Sequence, residues 1–193
     1  AYCDWLTFRN YYLASACDSI WAAPDAFIVF DGVNGERQFH KNMLDKLNEQ
    51  IGYEFESSNL YLQMSAWCAV NGFEGSSQFL AAHAEEERMH MLKFISYINE
   101  KDGKAVIPGF EKPAFKVKNA KELFDAVLKH ENFITDSINE IVALTIQEKD
   151  FSTYNWVQWF VNEQVEEESN VKTILDKLKL AGESHLYLFD RDI

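Results

Sequence analysis

The run His83-Ala84-Glu85-Glu86-Glu87-Arg88-Met89-His90 sets a carboxylate, Glu87, and an imidazole, His90, three residues apart. On a helix that spacing brings both onto one face, within reach of a common ion. Three other segments each hold an acidic residue at a matching place: Glu54, Glu131 and the cluster Glu163-Gln164-Val165-Glu166-Glu167. Carboxylates lent by four helices, together with a Glu-x-x-His pair, are how a helix bundle holds two iron ions. Hard oxygen donors with an imidazole nitrogen suit iron. Carboxylates buried together without a cation would repel and be kept protonated, and a bound ion removes that conflict. Taken singly, a helical Glu is a solvated charge and a lone His a surface or capping group. His83 and His130 read in that way, and Glu85, Glu140 and Glu168 read as solvated faces.

The elements that must position these groups follow from hydrophobic period and punctuation. Asn42 to Val70 carries Met43, Leu44, Leu47, Ile51, Phe55, Leu60, Leu62, Met64 and Trp67 at helical spacing and stops at Asn71-Gly72. A second helix is expected from about Glu74 to Lys101, stopped by Asp102-Gly103, a third from Ala120 to Glu148, and a fourth from Phe151 to Ala181, before Gly182. Lys104 to Asn119 contains Pro108, Gly109 and Pro113 and reads as a long connection, and His185 to Ile193 as a short terminal helix. Glu54 lies 16 residues before the end of its helix and Glu87 13 after the start of the next; Glu131 lies 17 before an end and Glu167 16 after a start. Folding each hairpin therefore brings its two carboxylates level, at about 1.5 Å of rise per residue. The connection, about 50 Å if extended, can return the chain along a helix of about 40 Å, so that all four meet.

Composition narrows the partners. With 193 residues, 47% hydrophobic and 25% charged, the chain suits one domain with a sizeable core plus an appendage. A net charge of −13 disfavours nucleic acid and anionic membranes and favours cations. No apolar run approaches the roughly 20 residues that span a bilayer. Three cysteines, Cys3, Cys17 and Cys68, offer neither metal-ligand spacing nor a disulfide framework. Cys68 reads as a buried small hydrophobe, and a reduced, cytoplasmic location is the expectation.

Several stretches together resemble the ferritin family, most of all its bacterial haem-free branch. They are Leu47-Asn48-Glu49-Gln50, Gln63-Met64-Ser65-Ala66-Trp67-Cys68, the His83 to His90 run, and Ser137-Ile138-Asn139-Glu140. Gln158-Trp159-Phe160-Val161-Asn162-Glu163-Gln164, then Val165-Glu166-Glu167-Glu168, and Ile174-Leu175-Asp176-Lys177-Leu178 complete the likeness, which runs from Met43 to Asp190. The resemblance implies an all-α, ferritin-like four-helix bundle with a long crossover between helices 2 and 3 and a short fifth helix, assembled as a homo-oligomeric shell of 24 subunits. It implies a first iron held by Glu54, Glu87 and His90, and a second by Glu87, Glu131 and Glu167, with Glu87 bridging and Gln164 alongside. Glu86, Glu163, Glu166 and Glu167 match a third iron site. Tyr61 and Trp159 match aromatic residues near the centre that take part in electron transfer; ordinary core packing explains them equally well.

The implied function is ferroxidase activity with iron storage: paired Fe(II) ions give electrons to O2 or peroxide, and ferric product grows as mineral in the cavity. Asn170 stands where a second Glu-x-x-His would need histidine, which argues against a bacterioferritin-type or rubrerythrin-type centre. Arg88 stands where bacterioferritins place a haem-binding methionine, so no haem is expected. A di-iron oxidase or peroxidase with little storage, and a structural shell subunit that oxidises iron poorly, are the alternatives. The complete ligand set favours the ferroxidase. Residues 1–40 precede the likeness and are rich in aromatics, among them Tyr2, Trp5, Phe8, Tyr11, Tyr12, Trp21, Phe27 and Phe30. They read as an appendage, with a helix over Tyr2 to Trp21, that packs against a neighbouring subunit; residues 41–193 form the di-iron domain.

Overall fold

The computed structural model describes the backbone of residues 2–7, 21–29, 31–109 and 111–193, and side chains at 41–109 and 111–193. Two compact units are present, Ala1–Asn42 and Met43–Ile193. In the first, strand β1 (Tyr2–Thr7) pairs in parallel with β2 (Trp21–Val29). The helix expected from Tyr2 is therefore not formed over its first six residues. Tyr, Trp and Thr fit a pleated strand better than a helix. The register slips between Cys3, paired with Ala22, and Trp5, paired with Phe27. Pro24, which has no N–H to give the ladder, falls within that irregular stretch. Positions 8–20, and the side chains of Cys3 and Cys17, lie outside the described residues.

Four long helices follow: α1 (Asp31–Val70), α2 (Glu74–Glu100), α3 (Ala120–Glu148) and α4 (Phe151–Ala181), then a 3-10 turn (Glu183–His185) and a short α5 (Leu186–Arg191). The four-helix arrangement, long crossover and short fifth helix match the expectation, although α1 starts earlier than Asn42. Local chemistry sets the ends. Gly72 turns between α1 and α2 with φ +81°, a conformation open to glycine. The Asn119 side chain caps α3 by accepting from the Glu122 N–H at 2.9 Å, while the Glu122 carboxylate reaches back to the Lys118 N–H at 2.9 Å. Asp150 caps α4 through the Thr153 N–H at 3.1 Å.

The start of α2 is different, because Phe73 at its N-cap supplies no side-chain bond. Asp190, from α5, accepts from the N–H groups of Gly75 and Ser76, each at 2.8 Å, and from the Ser76 hydroxyl at 2.6 Å. A Cβ on Gly75 would lie 1.8 Å from the Asp190 carbonyl oxygen, so the close docking of α5 requires glycine there. Asn48 ties the crossover to α1, accepting from the Val106 N–H at 2.7 Å and donating to the Lys104 carbonyl at 3.2 Å.

Within the bundle the apolar core is double. One cluster gathers Tyr61, Met64, Leu80, Phe124, Val127, Val171 and Ile174; the other gathers Leu47, Ile51, Phe94, Ile98, Ile134, Ile138 and Phe160. Along every helix a polar group separates them: Glu54 on α1, Glu87 and His90 on α2, Glu131 on α3, and Gln164 and Glu167 on α4, all buried. Each apolar side chain so buried contributes about 1.5–3 kcal/mol. The layer between them returns nothing of that kind.

Candidate metal centre

Two groups of side chains in the bundle present ligand atoms that all lie within 4.8 Å of one another: Glu54, Glu87 and His90, and then His83, Glu86 and Glu167. In the first, His90 Nδ1 stands 3.3 Å from Glu87 Oε2 and 3.8 Å from Glu54 Oε2. The i, i+3 spacing of α2 supplies two of these ligands and Glu54 enters from α1. Oε2 of Glu54, of Glu87 and of Glu167 is buried and receives no hydrogen bond from a protein donor. An uncompensated oxygen in the interior costs on the order of 1–3 kcal/mol, more when charged. A bound cation would compensate such oxygens.

The other carboxylate oxygens are held. Gln50 Nε2 donates to Glu54 Oε1 at 2.9 Å, and the Ser137 hydroxyl, from α3, donates to Gln50 Oε1. Glu131 takes the Tyr61 hydroxyl on Oε1 and Gln164 Nε2 on Oε2 at 3.0 Å. Two glutamine amides thus each fix a carboxylate, Gln50 one turn along its own helix and Gln164 across from α4 to α3. Burial above all, then the Glu87 charge, pushes the Glu54 carboxyl well above its ordinary range. Burial, followed by Glu131, does the same to Glu87, and burial raises Glu131. Tyr61, fully buried beside Glu131, is also pushed up, so it keeps its proton and donates.

Residues 44–181 match the ferritin family model, whose description is a ferritin-like domain. The chain belongs to the ferritin family. It is 49% identical over 155 residues to a Haemophilus influenzae protein described as a probable bacterial non-heme ferritin-like protein, covering 79% of this chain and 94% of the relative. It is 44% identical to the bacterial non-heme ferritin of Campylobacter jejuni over 79% of this chain and 93% of that one. Among solved structures, the open pore ferritin of Archaeoglobus fulgidus superposes with a TM-score of 0.77 at 36% identity, covering 79% of this chain and 94% of its own. Chlorobium tepidum ferritin gives 0.72 at 42% identity, covering 79% and 93%.

In this ferritin, Glu86, Glu163, Glu166 and Glu167 line one cleft of about 420 Å3 between α2 and α4, with His83, His90, Trp159 and Asn170. Glu86 and Glu166 are exposed and Glu163 is half-buried. Trp159 packs edge-on to His90 at 5.4 Å, with Lys93 Nζ 3.2 Å from its ring centre. The two histidines read as surface groups are both placed otherwise. His83 is only 7% exposed, packed on Phe79 with ring centres 4.2 Å apart. Burial acts to lower its pKa, but Glu167 and Glu86 outweigh that and raise it. His130 is half-buried against Tyr61, meets Ser57 Oγ at 2.7 Å, and is pushed by burial down to about 4. Glu85 and Glu140 are exposed as expected, whereas Glu168 is half-buried and bound by Thr135 and Lys172. Sequence reasoning passed over Gln50, Ser137 and His83. Gln50 lies one turn before Glu54 and His83 one turn before Glu87, an i, i+4 signal that was there to be read.

Proposed function

We propose that this ferritin binds Fe(II) in pairs as substrate, oxidises it, and stores the ferric product as mineral inside a homo-oligomeric shell of 24 subunits in the cytoplasm. Glu54, Glu87 and His90 take the first ion. Glu87, Glu131 and Glu167 take the second, with Gln164 and Tyr61 fixing Glu131. Glu86, Glu163 and Glu166, with Glu167, offer a third position in the adjoining cleft. The observation that carries this reading is the set of buried carboxylate oxygens of Glu54, Glu87 and Glu167 that no protein donor satisfies, with His90 Nδ1 beside two of them. Two Fe(II) ions lose one electron each; O2 takes both electrons with two protons and leaves as hydrogen peroxide. The acidic chain, at −13, favours cation approach. Among the described residues no helix is long and apolar enough to cross a membrane. Exposed apolar side chains at Leu62, Val70, Ile146, Phe151, Leu180 and Tyr187 supply material for contacts between subunits.

The test is aerobic Fe(II) addition to the full chain, followed by size-exclusion chromatography with iron quantified in each fraction. Hundreds of iron atoms eluting with a particle of about 24 subunits is the expected result. Rapid oxidation leaving two or three irons per chain on a small oligomer would favour instead an oxidant-removing di-iron oxidase.

A further inference from the structure

The third position is expected to be built of carboxylates, yet the cleft also contains a buried imidazole nitrogen. His83 Nε2 is buried without a hydrogen-bond partner, although Glu167 Oε2 stands only 2.8 Å away and is itself unsatisfied. The two side chains form an ion contact, and with Glu86 they belong to a set whose ligand atoms lie within 4.8 Å of one another. The ring is fixed from outside: Phe79 lies against one side at 4.2 Å between centres, and the Tyr61 ring centre is 6.3 Å away. Its other nitrogen, Nδ1, is 3.3 Å from Glu86 Oε2. The His83 side chain is 8% exposed and faces the cleft that Glu86, Glu163, Glu166 and Glu167 also line.

We propose that His83 is a nitrogen ligand of the third cation position, binding a divalent ion through Nε2 together with Glu167 Oε2, while its Nδ1–H is anchored by Glu86. Metal-bound histidines usually donate the second ring N–H to a carboxylate, which fixes tautomer and orientation. Glu86 serves that purpose, so its exposed carboxylate acts through His83 rather than as a principal ligand. An imidazole among oxygens moves the site toward divalent ions such as Zn(II) and Fe(II), away from the alkaline-earth ions that all-oxygen sets suit. The inference rests on the proposed function, because Glu167 is also a ligand of the second iron position.

The experiment uses Zn(II), which has no redox chemistry, on metal-free full-length protein. Equilibrium dialysis should count three zinc ions per chain in the wild type and two in His83→Phe, with the affinity of the remaining two unchanged. Crystals of the wild type soaked in Zn(II), with anomalous diffraction at the zinc edge, should place an ion about 2.1 Å from His83 Nε2. This second measurement needs no variant to fold. Zinc at Glu54, Glu87 and His90 with His83 turned only to carboxylates overturns this inference and spares the proposed function. Three zinc ions bound equally well by His83→Phe also overturn it. No zinc at either place overturns both.

Discussion

At the scale of single residues, the carboxylates of the buried layer work against the fold unless an ion compensates them. Glu87 lies among Glu54, Glu131 and Glu167, and burial, followed by the charges of Glu131 and Glu167, raises its pKa well above the ordinary carboxylate range. Glu87→Gln should therefore stabilise the metal-free protein while suppressing rapid Fe(II) oxidation. A gain of about 1 kcal/mol raises the melting temperature of a chain this size by about 2–4 °C. Calorimetry with stopped-flow oxidation checks both signs, and a variant that melts lower yet oxidises at the wild-type rate would remove Glu87 from the centre. Gln50 is predicted to matter through Glu54. Gln50→Leu frees Glu54 Oε1 and strands the Ser137 hydroxyl, which should weaken binding at the first ion more than at the second, read by Zn(II) titration. Glu54, Glu87, His90, Glu131 and Glu167 were legible as a set because helix rise converts sequence offset into height. His83 was not, because what seals it, Phe79 on its own helix and Tyr61 and Glu167 on others, is a property of packing.

Among elements, the four long helices are written plainly in the sequence. Apolar residues recur at helical period, and Asn71-Gly72, Asp102-Gly103 and Gly182 end the runs close to where the structure ends them. The N-terminal segment had no such period to read, and its aromatic and β-branched side chains favour a strand over a helix; the structure pairs Tyr2–Thr7 with Trp21–Val29. Docking of α5 was also hidden, since one aspartate 115 residues from Gly75 completes the start of α2. Asp190→Ala leaves two backbone N–H groups and the Ser76 hydroxyl without their partner and should cost about 1–3 kcal/mol. Gly75→Ala attacks the same joint from the other side, since its Cβ would overlap the Asp190 carbonyl. Both variants should lose hydrogen-exchange protection across Leu186–Arg191 before the rest of the bundle. Slow exchange retained there in both would show that the joint is held by something else.

For the whole molecule, pH acts in two opposed directions on the metal-free form. Glu54, Glu87 and Glu131 have folded pKa values above their ordinary ones, so the stability they lend is full in acid and is lost as pH rises through those raised values. His130 is the reverse: its folded value near 4 lies below the ordinary 6.5, so stability falls as pH drops from 6.5 toward 4. Thermal melts of the metal-free protein should therefore decline on both sides, and Zn(II) should raise the melting temperature more at pH about 8 than at about 6. An equal rise at both would contradict this assignment of charge. The divided core gives the same point a mechanical meaning. The ends of the bundle each close around their own apolar nucleus, whereas the level of Glu54, Glu87, Glu131 and Glu167 is tied by polar contacts between helices, Ser137 to Gln50, Tyr61 and Gln164 to Glu131, and His83 to Glu167. On the proposed function, an ion bound at that level would add a further tie between the four helices of the bundle. The two apolar ends, each packed on its own nucleus, would be left as they are.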